Sequence, residues 1–301
     1  MTRSSPNAGL LFALASASLY GFNIVYARMA SFAGASGSAI VVYRVFLMLA
    51  LVAVVALVTR RSLKMAREER GTLLLLGVAT ALVGICYLSS VAYIPVTVAA
   101  VVFYTFPILI VLASPLVEGT RLTPALLGVV AVATIGVALV VGPAFGDLDW
   151  RGLALAFGAS IATATQFFAA ARCRRTGVVA KVFWIHLLVL PTAALISWTA
   201  GQLVPPSALA AAPFAVAMTI GGYLFGFVLQ FLALGRITAV AAGIIYCTEP
   251  VVAAVSSTLI LGESMGPLQI IGGVLVLTAI VTNVLLDQRR HKDAPLVPIA
   301  D

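Results

Sequence analysis

The chain has 301 residues, of which 62% are hydrophobic and 9% are charged, and its mean hydropathy is +1.14. Soluble globular domains carry about 25% charged residues, so this composition excludes a soluble protein and predicts an integral membrane protein. The net charge of +8 does not indicate nucleic-acid binding, because the basic residues are distributed as the positive-inside rule expects.

A spanning helix needs about 20 apolar residues, and such segments follow one another from the N-terminus to the C-terminus. The short loops between them leave no room for a soluble domain. The first segment follows a short polar stretch without a convincing cleavage site, so we expect it to be retained. The ten predicted spans are Leu10–Ala30, Ser38–Val58, Thr72–Val91, Val96–Val117, Pro124–Val141, Gly152–Ala171, Lys181–Ala200, Pro213–Leu234, Ile237–Leu261 and Pro267–Leu286.

The basic residues predict the orientation. With ten spans, all but three of the 18 Lys and Arg residues fall on one side of the membrane, and the exceptions are Arg28, Arg44 and Arg151. Because basic loops stay in the cytoplasm, we expect both termini to be cytoplasmic.

The first three spans contain polar side chains that need partners. Asn23 must hydrogen-bond to another helix or to a ligand, and Tyr20 and Tyr87 lie near mid-depth as possible substrate contacts. Arg44 lies about two turns inside the outer end of span two. Snorkelling to the surface is the favoured interpretation for Arg44, and pairing with a substrate carboxylate is the alternative.

Span four carries Tyr104 and Pro107 near its middle. The tyrosine could stack on a substrate and hydrogen-bond to it, or simply pack between helices. The proline predicts a kink that is either tolerated or used as a hinge. Thr123-Pro124, ahead of span five, has the pattern of a helix start, and so does the stretch from Glu263 to Pro267.

Spans six to eight add further candidates for substrate contact. Gln166 is a buried amide, His186 lies about one and a half turns inside span seven, and Tyr223 lies near mid-depth. A lone intramembrane histidine can either titrate in a cavity or serve only in packing. Gln230 is a weaker candidate near the cytoplasmic end of span eight.

Span nine contains the most informative residue, Glu249. No other charged side chain lies between Ile237 and Leu261, and a carboxylate at membrane depth costs roughly 2.5–3.5 kcal/mol on insertion scales. Glu249 is therefore predicted to couple protons or to bind a substrate ammonium, with a neutral, hydrogen-bonded packing role as the alternative. Tyr246 and Pro250 flank it, and an interrupted helix carrying a charge is typical of transporter sites.

The two halves of the chain look duplicated. Similar residues recur at offsets of 142 to 145, and the halves meet near Gly146–Asp149. We therefore predict one repeat at 1–146 and a second at 147–301, the latter with a short cytoplasmic tail. Five spans per half make the second repeat inverted. The matches are Ala99-Ala100, Tyr104, Pro107 and Glu118 with Ala241-Ala242, Tyr246, Pro250 and Glu263, together with Asn23 with Gln166 and Arg28 with Arg172.

These residues resemble a known family. The tracts Tyr93–Glu118 and Gly235–Glu263, each followed by a glycine-containing apolar helix, resemble the paired EamA repeats of the drug/metabolite transporter superfamily. The opening pattern Tyr20-Gly21-Phe22-Asn23, with Arg28 and Arg44, fits as well. As a whole the chain resembles the YddG-type amino-acid exporters. The resemblance implies a ten-helix carrier of the inner (cytoplasmic) membrane that exports small metabolites.

The sequence thus predicts an all-α membrane protein of ten transmembrane helices, arranged as two inverted five-helix repeats around a mid-membrane cavity. We expect a secondary transporter that works by alternating access on small amphipathic metabolites. With the resemblance added, amino acids, including aromatic ones, are the first expectation, and nucleosides, sugars or cationic drugs are the alternatives. The expected partners are a small-molecule substrate and the lipid bilayer, without nucleic acid, and the oligomeric state stays open.

An intramembrane enzyme is the competing class. The chain has no Gly-x-x-x-x-Gly-Lys-Ser/Thr loop, no His-Glu-x-x-His pattern and no clustered His or Cys residues. It therefore lacks the groups that an ATPase, a zinc enzyme or a membrane hydrolase would use. We expect neither a catalytic residue, nor a metal site, nor a cofactor.

Overall fold

The computed structural model describes residues 6–35, 37–142 and 148–292. The predicted boundary between the repeats, at residues 146 and 147, lies outside the described residues. The helices are α1 (Pro6–Phe32), α2 (Gly37–Val58), α3 (Arg70–Ser90), α4 (Val96–Phe103), α5 (Phe106–Val117), α6 (Pro124–Val141), α7 (Trp150–Arg172), α8 (Val178–Thr199), α9 (Pro213–Leu234), α10 (Ala239–Tyr246), α11 (Thr248–Leu261) and α12 (Pro267–Lys292).

The described residues contain ten helical segments that are long and apolar enough to cross a membrane. This confirms the predicted number of spans. Eight of them are single helices, whereas α4 with α5 and α10 with α11 each form one interrupted span. The helices extend beyond several predicted limits, because apolarity alone does not detect a polar cap. Asp149, for example, accepts a hydrogen bond from the Arg151 N–H at 2.8 Å and starts α7 two residues before the predicted Gly152.

Helices of one half pack mainly on helices of the other. The principal contacts pair α1 with α9, α3 with α7, α2 with α8 and α6 with α12. The first pair joins the first span of the first half to the third span of the second half. The second pair is its counterpart with the halves exchanged. This reciprocal pairing is the arrangement expected of two inverted five-helix repeats.

Glycines allow these helices to approach closely. A Cβ added to Gly136 on α6 would lie 2.8 Å from the carbonyl oxygen of Gly272 on α12, and the reverse distance would be 2.5 Å. On α1, a Cβ at Gly21 would lie 2.7 Å from the carbonyl oxygen of Glu249. Small residues permit such backbone contacts between helices in a membrane. Gly21 therefore brings α1 against the first turn of α11, where the predicted site lies.

Both predicted helix starts are present. Thr123 caps α6, because its Oγ1 accepts a hydrogen bond from the Leu126 N–H at 3.2 Å. The stretch from Glu263 to Pro267 leads into α12, which begins at Pro267. There the N–H of Gly266 donates to the side chain of Gln269 at 2.9 Å, and Glu263 pairs with Arg28 at 2.9 Å.

On the Arg-rich face, two loops are joined by one acidic residue. The carboxylate of Glu69, just before α3, accepts hydrogen bonds from the backbone N–H groups of Arg175 and Thr176, both at 2.7 Å. Thr176 in turn accepts a hydrogen bond from the Ala66 N–H at 3.2 Å. These bonds tie the loop between α2 and α3 to the loop between α7 and α8. They therefore link the two halves at this end of the molecule.

Candidate substrate site

Each half contains one interrupted span, and a proline follows each interruption. Proline has no N–H to donate and its ring clashes with the carbonyl group four residues earlier. For Pro107 that carbonyl belongs to Phe103, the last residue of α4, and for Pro250 it belongs to Tyr246, the last residue of α10. Each proline thus lies in the first turn of the following half-helix, where it is tolerated. The position of both interruptions follows from the prolines, whereas their use as hinges stays a prediction.

Glu249 lies in the first turn of α11. The positive end of a helix macrodipole favours a carboxylate there. Glu249 is partly exposed although it lies in the middle of a span. Four tyrosines lie within electrostatic range of the carboxyl group, namely Tyr20, Tyr87, Tyr104 and Tyr246. The structure therefore gathers four of the five predicted tyrosines around this acid.

Aromatic rings form a continuous wall beside Glu249. Each ring contacts the next edge-on or tilted, at centroid distances between 5.1 and 6.2 Å. Such arrangements stabilise aromatic pairs. In order along the wall, the rings are Tyr87, Phe103, Tyr104, Phe106, Phe167, Tyr246 and Tyr20.

Tyr246 is more deeply engaged than Tyr104. Its hydroxyl donates a hydrogen bond to Ser16 Oγ at 2.6 Å, and that serine donates to the Gly226 carbonyl at 2.6 Å. The chain of bonds connects α10 to α1 and α9. Tyr104 on span four has no such chain of bonds, and its hydroxyl lies near Glu249 on span nine. The two repeat-related tyrosines therefore have different surroundings.

A second set of polar side chains lies around Arg44 on α2. The guanidinium carbon lies 4.3 Å from the centre of the Tyr223 ring, a cation–π contact. One guanidinium nitrogen lies 3.5 Å from Asn23 Oδ1. Arg44 therefore points inward, and the favoured prediction of snorkelling to the surface is wrong. Two helices that supply a ring face and an amide oxygen hold it there.

His186 lies behind this group. Its side chain is fully buried, with one ring nitrogen 2.8 Å from the Val182 carbonyl and the other 2.9 Å from the Tyr223 hydroxyl. A carbonyl only accepts, so Nδ1 donates to Val182, and Nε2 of the neutral ring accepts from Tyr223. His186 thus orients Tyr223, and neither ring nitrogen is left for a ligand.

The two predicted amides bind protein groups. Asn23 donates to the Thr219 carbonyl on α9, and Gln166 on α7 donates to Thr80 Oγ1 on α3 at 2.9 Å. These are equivalent contacts in the two halves, because each ties the first span of one half to the third span of the other. Gln166 lies among packed helices, whereas Asn23 also reaches the Arg44 group.

Gln230, the weaker candidate on α9, is linked to the site through Tyr20. The hydroxyl of Tyr20 donates to Gln230 Oε1 at 2.9 Å, and Gln230 is buried. Tyr20 lies within electrostatic range of both Arg44 and Glu249. It therefore stands between the cationic and the acidic parts of the site, with its hydroxyl held by α9.

Sequence reasoning missed the inward position of Arg44 and the role of Ser16. A signal existed for Arg44, since it is a lone basic residue inside a span and such residues usually face a cavity. Ser16 gave no signal, because a serine in a helix usually bonds to its own preceding turn. Only the approach of α9 and α10 shows that it bridges two other helices.

A cavity lies away from these residues. It has a volume of about 580 Å³, lies between α3, α5 and α7, and is lined mostly by apolar side chains with Arg172 at one end. None of the predicted site residues lines it. Within the described part of the chain, no three His, Cys, Asp or Glu side chains are grouped so that they could hold a metal ion.

Comparison with known proteins identifies the family to which the chain belongs. The model of the EamA-like transporter family matches residues 7–142 and 150–285. The threonine/homoserine exporter RhtA of Escherichia coli strain K12 is 28% identical over 233 residues, which cover 76% of this chain and 76% of that protein. RhtA of strain O157:H7 matches to the same extent.

A crystal structure with 20% sequence identity superimposes with a TM-score of 0.76, over 95% of this chain and 99% of the other. That likeness supports the fold alone. The family match covers both halves of the chain, each with five spans, and agrees with the predicted membership of the drug/metabolite transporter superfamily. This multi-pass membrane protein therefore belongs to the EamA-like transporter family.

Proposed function

We propose that this chain is a secondary transporter of the inner membrane that exports amino acids by alternating access. The observation that carries the proposal is the partly exposed acidic residue Glu249 at the interruption of span nine. A charged group that faces space at mid-membrane, beside a broken helix, is typical of substrate sites in transporters. The tyrosines around it supply both apolar faces and hydroxyl groups.

The similarity to RhtA indicates which substrates to test first. RhtA is named as an exporter of threonine and homoserine, which are small amino acids with a hydroxyl group. Several tyrosine hydroxyls near Glu249 could hydrogen-bond to such a group. The partly exposed rings of the wall, Tyr20, Tyr87 and Phe103, also suit a larger apolar side chain, so aromatic amino acids form the second set. Nucleosides, sugars and cationic drugs complete the substrate panel as competing outcomes.

In this proposal Glu249 holds either a proton or the ammonium group of the substrate. Two positively charged occupants of one carboxylate exclude each other, so inward movement of a proton would drive outward movement of an amino acid. In this proposal the Tyr104 hydroxyl stays near the carboxyl group, whether Glu249 holds the proton or the ammonium group of the substrate. Pro107 and Pro250 act as hinges, because the backbone bonds that they remove leave each span free to bend at mid-depth.

Purified protein in liposomes tests the proposal. We expect labelled L-threonine or L-homoserine to cross the membrane unchanged and to accumulate against its gradient when a pH gradient is imposed. The Glu249→Gln variant keeps the shape but cannot ionise, so it should lose accumulation. Absence of transport of any amino acid by the wild type, or accumulation by Glu249→Gln equal to that of the wild type, would contradict the proposal.

The proposal includes an orientation with both termini in the cytoplasm. In a variant without the native cysteines, a single cysteine at Ser207 should react with an impermeant reagent from outside, and one at Ser62 should not. Both positions are exposed. Thr176 is unsuitable because it is buried and bonded to Glu69. The opposite labelling would reverse the topology.

A further inference from the structure

We infer that Arg44 binds the carboxylate of the substrate while Glu249 binds its ammonium group, so that the site selects zwitterionic amino acids. The inference rests on the proposed function and extends it by giving each charged end of the substrate its own partner. It assigns a binding role to Arg44, which the sequence favoured as an anchor to the membrane surface.

Arg44 lacks a counter-charge. The salt bridges among the described residues join Arg28 to Glu263 and Arg175 to Glu68, and neither involves Arg44. The buried Nε atom of Arg44 has no hydrogen-bond partner. A buried polar atom without a partner is rare in proteins, and a buried charge is usually paired. The guanidinium group therefore needs an anionic acceptor that the described residues do not supply.

Glu249 presents the complementary case. No described Lys, Arg or His side chain forms a salt bridge with it, and its neighbours are neutral tyrosines. Glu249 is nevertheless partly exposed. A ligand with a positively charged group can therefore reach it. The site thus contains one unpaired cation and one unpaired anion.

The two charges lie at similar depth in the membrane. On α1, Gly21 approaches the backbone of Glu249, and Asn23 contacts the guanidinium group of Arg44. These two α1 residues are separated by only about 3 Å along the helix axis, although they project from different sides of α1. Tyr20, one residue before Gly21 on the same helix, lies within electrostatic range of both charges. We therefore place the substrate beside Tyr20, where its two charged ends would reach Arg44 and Glu249.

An α-amino acid matches this arrangement because it carries a carboxylate and an ammonium group on one carbon atom. It would neutralise both protein charges at once. A simple amine would leave Arg44 unpaired and repelled, and a simple carboxylate would do the same to Glu249. Leaving a buried charge unpaired is costly, so the site rejects singly charged analogues as well as attracting the zwitterion.

Competition experiments with three probes test the assignment in the full-length protein in liposomes. The probes are L-threonine, isopropanolamine, which lacks the carboxylate, and β-hydroxybutyrate, which lacks the ammonium group. For the wild type, we expect L-threonine to inhibit transport of labelled L-threonine at concentrations about tenfold to a hundredfold lower than either analogue, as expected for loss of one charge-assisted bond.

The Arg44→Gln variant separates the two ends of the ligand. Its affinity for L-threonine should fall about tenfold or more, while its affinity for isopropanolamine stays equal or rises, because the repelling charge is gone. Arg44→Lys should restore part of the affinity, since it keeps the charge but not the planar fork. Arg236→Gln is the matched control, because Arg236 also lies over an aromatic ring, 5.0 Å from the centre of Phe12, but outside the site. It should behave as the wild type.

The outcomes distinguish the inference from the function on which it rests. If the wild type carries no amino acid, the proposed function fails. If the wild type carries L-threonine and Arg44→Gln weakens all three probes equally, Arg44 serves the fold and the inference is overturned. An unchanged affinity of Arg44→Gln for L-threonine overturns it too. Binding of isopropanolamine by this variant also shows that its site is folded.

Discussion

The two interrupted spans share a backbone geometry but carry different side chains. Both stop one or two residues before a new half-helix whose first turn contains a proline. Counting back one residue from each proline gives Phe106 in the first half and Glu249 in the second. Phe106 is only 2% exposed and packs against Tyr104 and Phe167, whereas Glu249 is partly exposed. Duplication thus provides the break twice, and only one copy carries a charge.

The far ends of the same two spans differ as well. After α11, Glu263 forms a salt bridge with Arg28 at 2.9 Å. After α5, the counterpart Glu118 accepts a hydrogen bond from the Ala239 N–H at 2.9 Å and leaves its other oxygen without a partner. Arg172, the repeat counterpart of Arg28, donates instead to the Val117 carbonyl at 3.0 Å.

The two inverted repeats are therefore not symmetric in their side-chain chemistry. The acid-arginine pair is formed at one end of the molecule and separated at the other, although the residues for both are present. Exchange of these two arrangements is what a rocking motion of the halves would produce. The asymmetry of the central acid, in contrast, does not change with conformation.

The largest expected effect comes from placing a glutamate at Phe106, the position in the first repeat that corresponds to Glu249. Phe106→Glu should destabilise the protein by about 2.5–3.5 kcal/mol, since it buries a charge among aromatic rings in the membrane. The measurement is thermal unfolding in detergent, with Phe106→Leu as the apolar control, which we expect to lose less stability. A stable Phe106→Glu variant that transports normally would show that the two breaks are chemically equivalent.

Replacing the prolines tests whether both breaks work as hinges. Pro250→Ala supplies an N–H that can donate to the Tyr246 carbonyl and make span nine continuous. One backbone hydrogen bond is worth about 1 kcal/mol, so the bent form should be disfavoured about fivefold and transport should slow accordingly. Pro107→Ala should have a similar effect through Phe103. Wild-type rates in both variants would leave the prolines as passive kinks.

The repeat-related tyrosines should respond in opposite ways. Tyr246→Phe removes a buried bond to Ser16 and should cost about 1 kcal/mol of stability with transport largely kept. Tyr104→Phe removes the hydroxyl that faces Glu249, and should weaken L-threonine binding with little change in stability. Thermal unfolding and competition assays on the same two variants check this split. Equal loss of transport in both would assign them one shared role.

The smallest expected effect concerns the pairs at the two ends. Arg28 and Glu263 are 55% and 36% exposed, and such pairs contribute about 0–1 kcal/mol. In the proposed orientation this pair lies at the outer end of the helices. Glu263→Gln should therefore raise the ratio of molecules open to the outside over molecules closed to it by at most about fivefold. The rate at which a cysteine at Ser257, beside the pair, reacts from outside measures this shift.

A second exposed pair provides the control for this last experiment. Glu68 lies 3.6 Å from Arg175, on the opposite face and within loops that Glu69 already holds together. Glu68→Gln should leave the reaction rate at Ser257 unchanged. The same change in rate for both variants would contradict a specific role for the Arg28 pair.

Much of the architecture was predictable because the bilayer restricts the choice. Without water, a spanning segment must satisfy its own backbone groups, so apolar length translates directly into helices. The repeats were visible because proline, tyrosine and acidic residues are uncommon enough in such segments for their matched offsets to be noticed. Glu249 was predictable for the same reason, as the lone charge of span nine.

The ten spans, the two halves and the lone charge of span nine could therefore be inferred from the amino-acid sequence. Which polar groups meet depends on the tertiary packing of the helices. Arg44 turns inward because Asn23 and Tyr223, distant in the chain, supply an amide oxygen and a ring face. Such partners depend on how helices rotate and approach one another. In an apolar medium many packings satisfy the same hydrophobic pattern, and the contacts between side chains select among them.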